Sequence, residues 1–144
     1  MLGWLTHQNS GTINVSQTQL QHIPNEYATA LKEFSEQINN QLEGKQLPEE
    51  QIKSVNNSLE ELVKEVQDVK PEKEGEQKID YAKKISIESK TVSVIQKVLN
   101  LLPEAAETAA TFTPLAPFSK LIGKGIKTVV DAIANRKKLW SFFL

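Results

Sequence analysis

The side chains best suited to chemistry are six cations spaced along the last 25 residues, followed by an aromatic terminus. Lysine and arginine attract anionic lipid headgroups, and Trp and Phe bury at the boundary between headgroups and acyl chains. In the alternative interpretation, Trp140 and Phe143 fold back and fill the interior of the protein. The first interpretation predicts a membrane-interacting surface made of Lys120, Lys124, Lys127, Arg136, Lys137, Lys138, Leu139, Trp140, Phe142 and Phe143.

Catalytic chemistry has little support in the sequence. The two histidines, His7 and His22, both lie in the N-terminal stretch, where neither is placed for acid–base catalysis or for a metal. Residues 123–128, GKGIKT, lack the order of a phosphate-binding loop. The chain has no cysteine, which excludes disulfides and thiol chemistry. We expect no enzyme activity, no cofactor, no metal site and, because the basic residues form no reading motif, no nucleic-acid binding.

The N-terminal residues 1–24 carry no Asp, Glu, Lys or Arg. Within them, alternation places Ile13 and Val15 on one face of an extended strand and polar residues on the other. An uncharged segment rich in Asn, Gln, Ser and Thr can stack in register as amyloid does. Two interpretations remain open: a plain tail or flap on the rest of the protein, and a self-assembly motif made of Thr12, Ile13, Asn14 and Val15.

Apolar residues spaced three and four apart predict an all-α fold for residues 25–144, a four-helix bundle preceded by a strand-like or disordered segment. The predicted main helices are residues 25–42, 48–69, 77–102 and 118–135, with a short helix at 104–111. We expect the first two to pack as an antiparallel hairpin, and the last to contain Gly123 and Gly125 and to be capped by residues 136–138. The predicted core contains Leu31, Phe34, Leu59, Leu62, Ile95, Val98, Leu121, Ile122, Val129 and Val130.

The stripe of the third helix is predicted to include Ile79, Ala82, Ile85, Val92, Ile95, Val98, Leu99 and Leu102. Serine and β-branched residues at 86–89 weaken its middle, so a kink is expected there. The polar faces of the first two helices, rich in Glu, Gln, Lys and Asn, are predicted to be solvated surface.

Charge is distributed unevenly along the chain. Residues 25–72 hold five basic and eleven acidic residues, a net −6, whereas residues 73–144 hold twelve basic and seven acidic, a net +5. We expect the acidic half to attract and mask the basic apolar half. The first residues lack the features of a signal peptide, and no uninterrupted apolar run reaches about 18 residues. We therefore expect a cytoplasmic protein that associates conditionally with a membrane.

The plan of the chain, an uncharged Asn/Gln/Thr-containing motif and then a small helical domain with an apolar ending, resembles a known family. Together with the stretch LPEAAETAATFTPLAPFSKLIGKGI at residues 102–126, it is similar to the bacterial Bell-domain proteins that carry amyloid signalling motifs. These are regarded as counterparts of the fungal HeLo and HeLo-like domains and of the four-helix domain of the necroptosis executioner. The resemblance implies regulated membrane targeting and cell death in defence against phage. The fungal relatives keep the membrane-active helix at the N-terminus, whereas the most lipophilic segment here is C-terminal.

Two functions follow as hypotheses. In the first, the protein is a membrane-active cell-death or defence effector that oligomerises through residues 11–23 and then targets or permeabilises an anionic membrane. Its partners are lipids, further copies of itself and a protein sharing the N-terminal motif. In the second, the bundle is an adaptor or signalling module whose apolar ends bind another protein.

Overall fold

The computed structural model describes residues 12–67, 69, 81–106 and 111–143, with the backbone alone for residues 106 and 137–143. Within this part of the chain every regular element is helical, so the predicted all-α class is confirmed. The α-helices are α1 (Gln17–Leu20), α2 (Asn25–Leu42), α3 (Glu49–Val66), α4 (Tyr81–Leu101), α5 (Phe118–Ile122) and α6 (Ile126–Phe143). Short 3-10 turns lie at Pro103–Ala106 and Thr113–Leu115.

Helix α2 has the bounds that its sequence predicts. Pro24 precedes its first residue, and Gly44 lies in the turn that follows its last, with a left-handed φ of 81°. The backbone N–H of Lys45 closes this turn on the C=O of Leu42 (2.9 Å). The apolar residues spaced three and four apart along α2 are all buried: Tyr27, Leu31, Phe34, Ile38 and Leu42.

Helices α3 and α4 form the most closely packed helix pair that the structure describes. Their polar contacts ascend α4 while descending α3, so the two helices are antiparallel. These contacts are Lys83–Glu65 (3.1 Å), Lys90–Glu61 (3.4 Å) and the hydrogen bond from Lys97 to Ser58 (2.7 Å). The predicted hairpin of α2 on α3 is therefore not the main pairing, because residues 12–14 lie between those two helices and hydrogen-bond to both.

The predicted stripe of α4 is wrong in its first half. Ala82 is exposed and Ile85 is 47% exposed, whereas Ile87 and Thr91 are buried. Ile79 and the predicted start of the helix at residue 77 lie outside the described residues. From Ile95 onward the predicted residues are buried, and α4 runs from Tyr81 to Leu101 as one helix.

The predicted last helix is divided in two at Gly123. This residue ends α5 with a left-handed φ of 70°, and its N–H donates to the C=O of Ser119 (2.9 Å). Helix α6 begins at Ile126 and continues to Phe143, beyond the predicted end at residue 135. Arg136 therefore lies inside α6 rather than at its C-terminal cap. Where the sequence predicts a short helix at 104–111, a 3-10 turn forms at Pro103–Ala106, and residues 107–110 lie outside the described part.

One apolar core joins the N-terminal residues to the C-terminal helices. Ile13, Leu20 and Ile23 belong to the same buried cluster as the four longest helices. Aromatic pairs link α2 to the last third of the chain, with ring centroids 5.3 Å apart for Tyr27–Phe118 and 5.8 Å for Phe34–Phe112. All ten predicted core residues are buried: Leu31, Phe34, Leu59, Leu62, Ile95, Val98, Leu121, Ile122, Val129 and Val130.

Candidate functional site: the clamped N-terminal segment and the cationic C-terminal helices

The predicted self-assembly residues lie in a cleft between α2 and α3, where two asparagine side chains hold their backbone. The N–H of Ile13 donates to Oδ1 of Asn39 (2.7 Å), and Nδ2 of Asn39 donates to the C=O of Ile13 (2.8 Å). The N–H of Asn14 donates to Oδ1 of Asn56 (2.8 Å), and Nδ2 of Asn56 donates to the C=O of Thr12 (3.2 Å). We call Asn39 and Asn56 the asparagine clamp.

The clamp contacts both edges of the segment. In an extended chain the N–H and C=O of one residue point to the same edge, and those of its two neighbours point to the opposite edge. Asn39 hydrogen-bonds to both the N–H and the C=O of Ile13. Asn56 hydrogen-bonds to the C=O of Thr12 and to the N–H of Asn14. These are the backbone groups that adjacent strands would use in a sheet, so the clamp occupies the hydrogen-bonding positions needed for stacking.

Side-chain burial adds to the clamp. Ile13 is only 2% exposed, while Thr12 and Asn14 are exposed and Val15 is half-buried against the core. The segment is followed by the helix α1, which corrects the prediction of a strand-like or disordered segment before the bundle. Residues 12–23 therefore pack on the helices, and the self-assembly role of Thr12, Ile13, Asn14 and Val15 stays a prediction.

The prediction that the polar faces of the first two helices are solvated surface is wrong for Asn39, whose hydrogen bonds are partly buried, and it misses the contacts of Asn56, which are exposed. Both are half-buried and bind residues that lie 26 and 42–44 positions away in the chain. A signal was present in the composition, since asparagine lowers helix stability and needs a reason to occur in mid-helix. However, Asn40 and Asn57 are exposed neighbours of the same type, so the sequence alone could not distinguish the clamp residues.

Four of the six predicted membrane-binding cations, Lys120, Lys124, Lys127 and Arg136, are described, and they are exposed on α5, α6 and the turn between them. Lys120 pairs with Glu26 of α2 (3.9 Å), and Lys124 pairs with Glu88 of α4 (3.3 Å). Lys127 and Arg136 are exposed. Six predicted side chains lie outside the described residues: Lys137, Lys138, Leu139, Trp140, Phe142 and Phe143. The alternative interpretation, in which Trp140 and Phe143 fold back, therefore stays a prediction.

The opposite faces of α5 and α6 are apolar and buried. Their buried residues are Phe118, Leu121, Ile122, Ile126, Val129, Val130 and Ile133. Up to Arg136, the two helices and the turn between them thus separate an exposed face, which carries four cations and Asp131, from an apolar face that is packed into the core. Within the described residues, no helix is both long enough and apolar enough to cross a membrane.

Among the described residues, Glu65 is the ionisable group whose pKa is shifted most clearly by its environment. Partial burial raises the pKa of its carboxyl, but hydrogen bonds from Ser86 and Lys83 and the charges of Lys83 and Lys90 outweigh this, leaving the pKa below its ordinary value of 4.5. Glu65 joins α3 to α4 through Lys83, far from the predicted membrane-binding cations in sequence. We interpret it as a structural ion pair.

Two open grooves accompany these features. One, of about 440 Å³, lies between α2 and the turn at residues 113–117 and is bordered by Glu26 and Glu33. The other, of about 420 Å³, lies beside the clamped segment and is lined by Asn14, Val15, Ser16, Gln19, Asn56 and Glu60. In the part of the chain that the structure describes, no three His, Cys, Asp or Glu side chains converge as metal ligands would.

Comparisons with known proteins do not indicate a function, so a functional assignment has to rest on the contacts described above. The chain matches no protein-family model, and no curated protein or solved structure is significantly similar to it. The resemblance to Bell-domain proteins therefore stays a prediction.

Proposed function

We propose that the protein is a membrane-active effector of cell death or defence, cytoplasmic at rest and recruited to an anionic membrane after it oligomerises. In this proposal α2, α3, α4 and α6 are the main helices of a four-helix bundle. The observation that carries it is the division of α5 and α6 into an exposed cationic face and an apolar face buried in the core. A helix divided in this way can exchange its core contacts for a lipid surface.

The ion pairs support a resting form in which carboxylates cover two of the cations, and little free energy is needed to separate these pairs. Lys120 and Lys124 face carboxylates of α2 and α4, and all four side chains are at least 28% exposed. Exposed ion pairs contribute about 0.2–1 kcal/mol each and are screened by salt. An anionic surface, which attracts each Lys or Arg by about 1 kcal/mol, can therefore compete with these carboxylates for the cations.

Charge reversal on the exposed face tests the proposal. Lys127→Glu with Arg136→Glu removes about 2 kcal/mol of attraction, so binding to phosphatidylserine-containing vesicles should weaken at least about 30-fold. Cosedimentation of the full chain with vesicles, with and without phosphatidylserine, measures this. The matched control is Lys32→Glu with Lys53→Glu, which makes the same charge change at exposed positions of α2 and α3.

The control should bind anionic vesicles nearly as well as the unaltered chain, and both double variants should keep their thermal stability. Equal losses in the two double variants would show that total charge, rather than the α6 surface, governs binding. The absence of binding by the unaltered chain to anionic vesicles in low salt, also after its assembly, contradicts the proposal.

A second function, an adaptor that binds another protein, has one observation in its favour. Tyr81 and Ile85 lie one turn apart on α4 and are 76% and 47% exposed. Two apolar side chains at this spacing can contact a partner surface. Tyr81→Ser with Ile85→Ser should leave vesicle binding unchanged and abolish partner capture if the adaptor function is correct.

A further inference from the structure

The cleft between α2 and α3 recognises polypeptide backbone. Its four hydrogen bonds all reach main-chain N–H or C=O groups of Thr12, Ile13 and Asn14. Nearly every residue has these groups, so the asparagine clamp does not depend on particular polar side chains. It recognises the extended conformation of the backbone instead. Main-chain recognition of this kind is how proteins bind extended peptides at sheet edges, although here side-chain amides replace the neighbouring strand.

Selectivity comes from the side chain of Ile13. It is buried to 2% exposure, and it is flanked on both sides by residues whose side chains are exposed. A charged or amide side chain would lose its hydration there, whereas a β-branched aliphatic residue favours the extended conformation that the clamp requires. The cleft therefore suits an extended segment with one aliphatic residue at its centre.

We propose that Asn39, Asn56 and the pocket of Ile13 form a binding site for an extended peptide, whose ligand in trans is residues 12–15 of a second copy. Exchange of this segment between two copies reproduces the hydrogen bonds that it makes to Asn39 and Asn56 within one chain. At rest each chain fills its own site, at an effective concentration of about millimolar. The inference rests on the proposed function only in treating residues 12–15 as the segment that joins copies, and it needs no membrane.

Occupation of this site and stacking of the same residues are mutually exclusive. The clamp uses the hydrogen-bonding groups on both edges of the segment, which a stack of strands would need. A segment bound in the cleft, in cis or in trans, is thus held back from amyloid-type growth. The cleft controls which of the two contacts between copies can form.

A titration with a labelled peptide of residues 11–20, GTINVSQTQL, tests the site in the full-length chain. Ile13→Asp puts a charge into the pocket and so expels the chain's own segment, leaving the site open. Fluorescence anisotropy should show saturable peptide binding to this variant, and binding at least about tenfold weaker to the unaltered chain, whose site is filled. A peptide carrying the same Ile13→Asp change should not bind.

Substitutions in the clamp provide the matched comparison. Added to the Ile13→Asp chain, Asn39→Ala should weaken peptide binding about tenfold, because it removes two partly buried hydrogen bonds. Asn56→Ala should weaken it by a smaller factor, because the two hydrogen bonds that it removes are exposed. Asn40→Ala and Asn57→Ala change neighbouring exposed asparagines of the same helices and should leave the affinity unchanged.

Hydrogen exchange in the unaltered chain provides a second measurement if Ile13→Asp fails to fold. The amide protons of Ile13 and Asn14 should be protected, and unlabelled peptide at millimolar concentration should speed their exchange by competing for the site. Peptide binding that is insensitive to Asn39→Ala and Asn56→Ala, or the absence of both saturable binding and peptide-accelerated exchange, overturns the proposal. Peptide binding without vesicle binding rejects only the membrane function, and the reverse result rejects only this site.

Discussion

Asn39 satisfies the N–H and the C=O of one residue with a single planar amide, a role that few side chains can fill. The amide offers one acceptor and two donors, whereas a carboxylate can only accept and a hydroxyl is too short to reach both groups. Both bonds are short, at 2.7 and 2.8 Å, and partly buried. Their loss leaves the backbone of Ile13 without these partners in a partly desolvated cleft.

Replacement of Asn39 by alanine should therefore lower the free energy of unfolding by about 1–3 kcal/mol. Urea denaturation followed by circular dichroism measures the change. Asn40→Ala, on the exposed face one residue further along α2, should remain within about 0.5 kcal/mol of the unaltered chain. Equal effects of the two substitutions would show that helix propensity, rather than the clamp, determines the result.

The lowered pKa of Glu65 predicts how the free energy of unfolding depends on pH. Its pKa in the folded chain is below the ordinary value, so it binds fewer protons when folded, and its ion pair with Lys83 stabilises the fold above the unfolded-state pKa. This contribution, about 0.5–1 kcal/mol, is lost as pH falls below 4.5 and through the folded-state pKa. Glu65→Gln should thus lower stability at pH 7 and reduce its decline in acid.

Urea denaturation at a series of pH values checks this expectation. Glu61→Gln is the control on the same helix, because its pair with Lys90 is more exposed and should contribute less. A Glu65→Gln chain as stable as the unaltered protein at pH 7 would contradict the structural role of this ion pair.

At the scale of elements, the sequence predicts α2 well because strong local signals mark both ends. Pro24 and Gly44 bound it, and its apolar residues fit one stripe. Helix α4 has weaker signals, since Ile85 and Ile87 are both apolar and each belongs to a stripe that leads to Ile95. Long-range packing decides between these stripes, and the sequence pattern contains no information on it. The clamp residues could not be predicted for the same reason.

The two isoleucines give a matched test of the packing of α4. Ile87 is fully buried and Ile85 is 47% exposed, on the same helix and two residues apart. Ile87→Ala should lower the free energy of unfolding by about 2–5 kcal/mol, whereas Ile85→Ala should cost less than about 1 kcal/mol. Thermal or urea unfolding distinguishes the two, and a larger loss for Ile85→Ala would support the stripe predicted from the sequence.

The break between α5 and α6 could not be predicted because glycine is tolerated in helices at a modest cost. Gly123 adopts a φ of 70°, whereas Gly125 has no left-handed φ. A Cβ at residue 123 would also lie 2.8 Å from Nζ of Lys84, the mobile end of a flexible side chain that can move away. The backbone therefore accounts for most of the expected cost.

Gly123→Ala should destabilise the fold by about 1–2 kcal/mol. Gly125→Ala, whose Cβ would meet Oγ1 of Thr128 at an ordinary 3.6 Å, should stay within about 0.5 kcal/mol of the unaltered chain, because the lower entropy of its unfolded state offsets the loss of a favourable N-cap glycine before α6. Thermal unfolding of both variants measures this. Similar stability for the two variants would argue against the left-handed helix end.

At the scale of the whole molecule, the acidic and basic halves of the chain meet as their charges predict. Lys83, Lys90 and Lys120 of the basic half contact Glu65, Glu61 and Glu26 of the acidic half. The same arrangement buries the apolar faces of α5 and α6 and holds residues 12–15 in the cleft between α2 and α3. In the proposed function, the clamp and the buried apolar faces of α5 and α6 belong to one resting form, in which assembly and membrane binding are both withheld.

Release of a trapped dye from phosphatidylserine-containing vesicles tests this central claim most directly. Asn39→Ala with Asn56→Ala opens the clamp without altering the segment or the cations, and should release dye faster than the unaltered chain. Adding Lys127→Glu and Arg136→Glu should abolish that release, while Asn40→Ala with Asn57→Ala should behave as the unaltered chain. A folded Asn39→Ala, Asn56→Ala variant that releases no more dye than the unaltered chain would contradict the account.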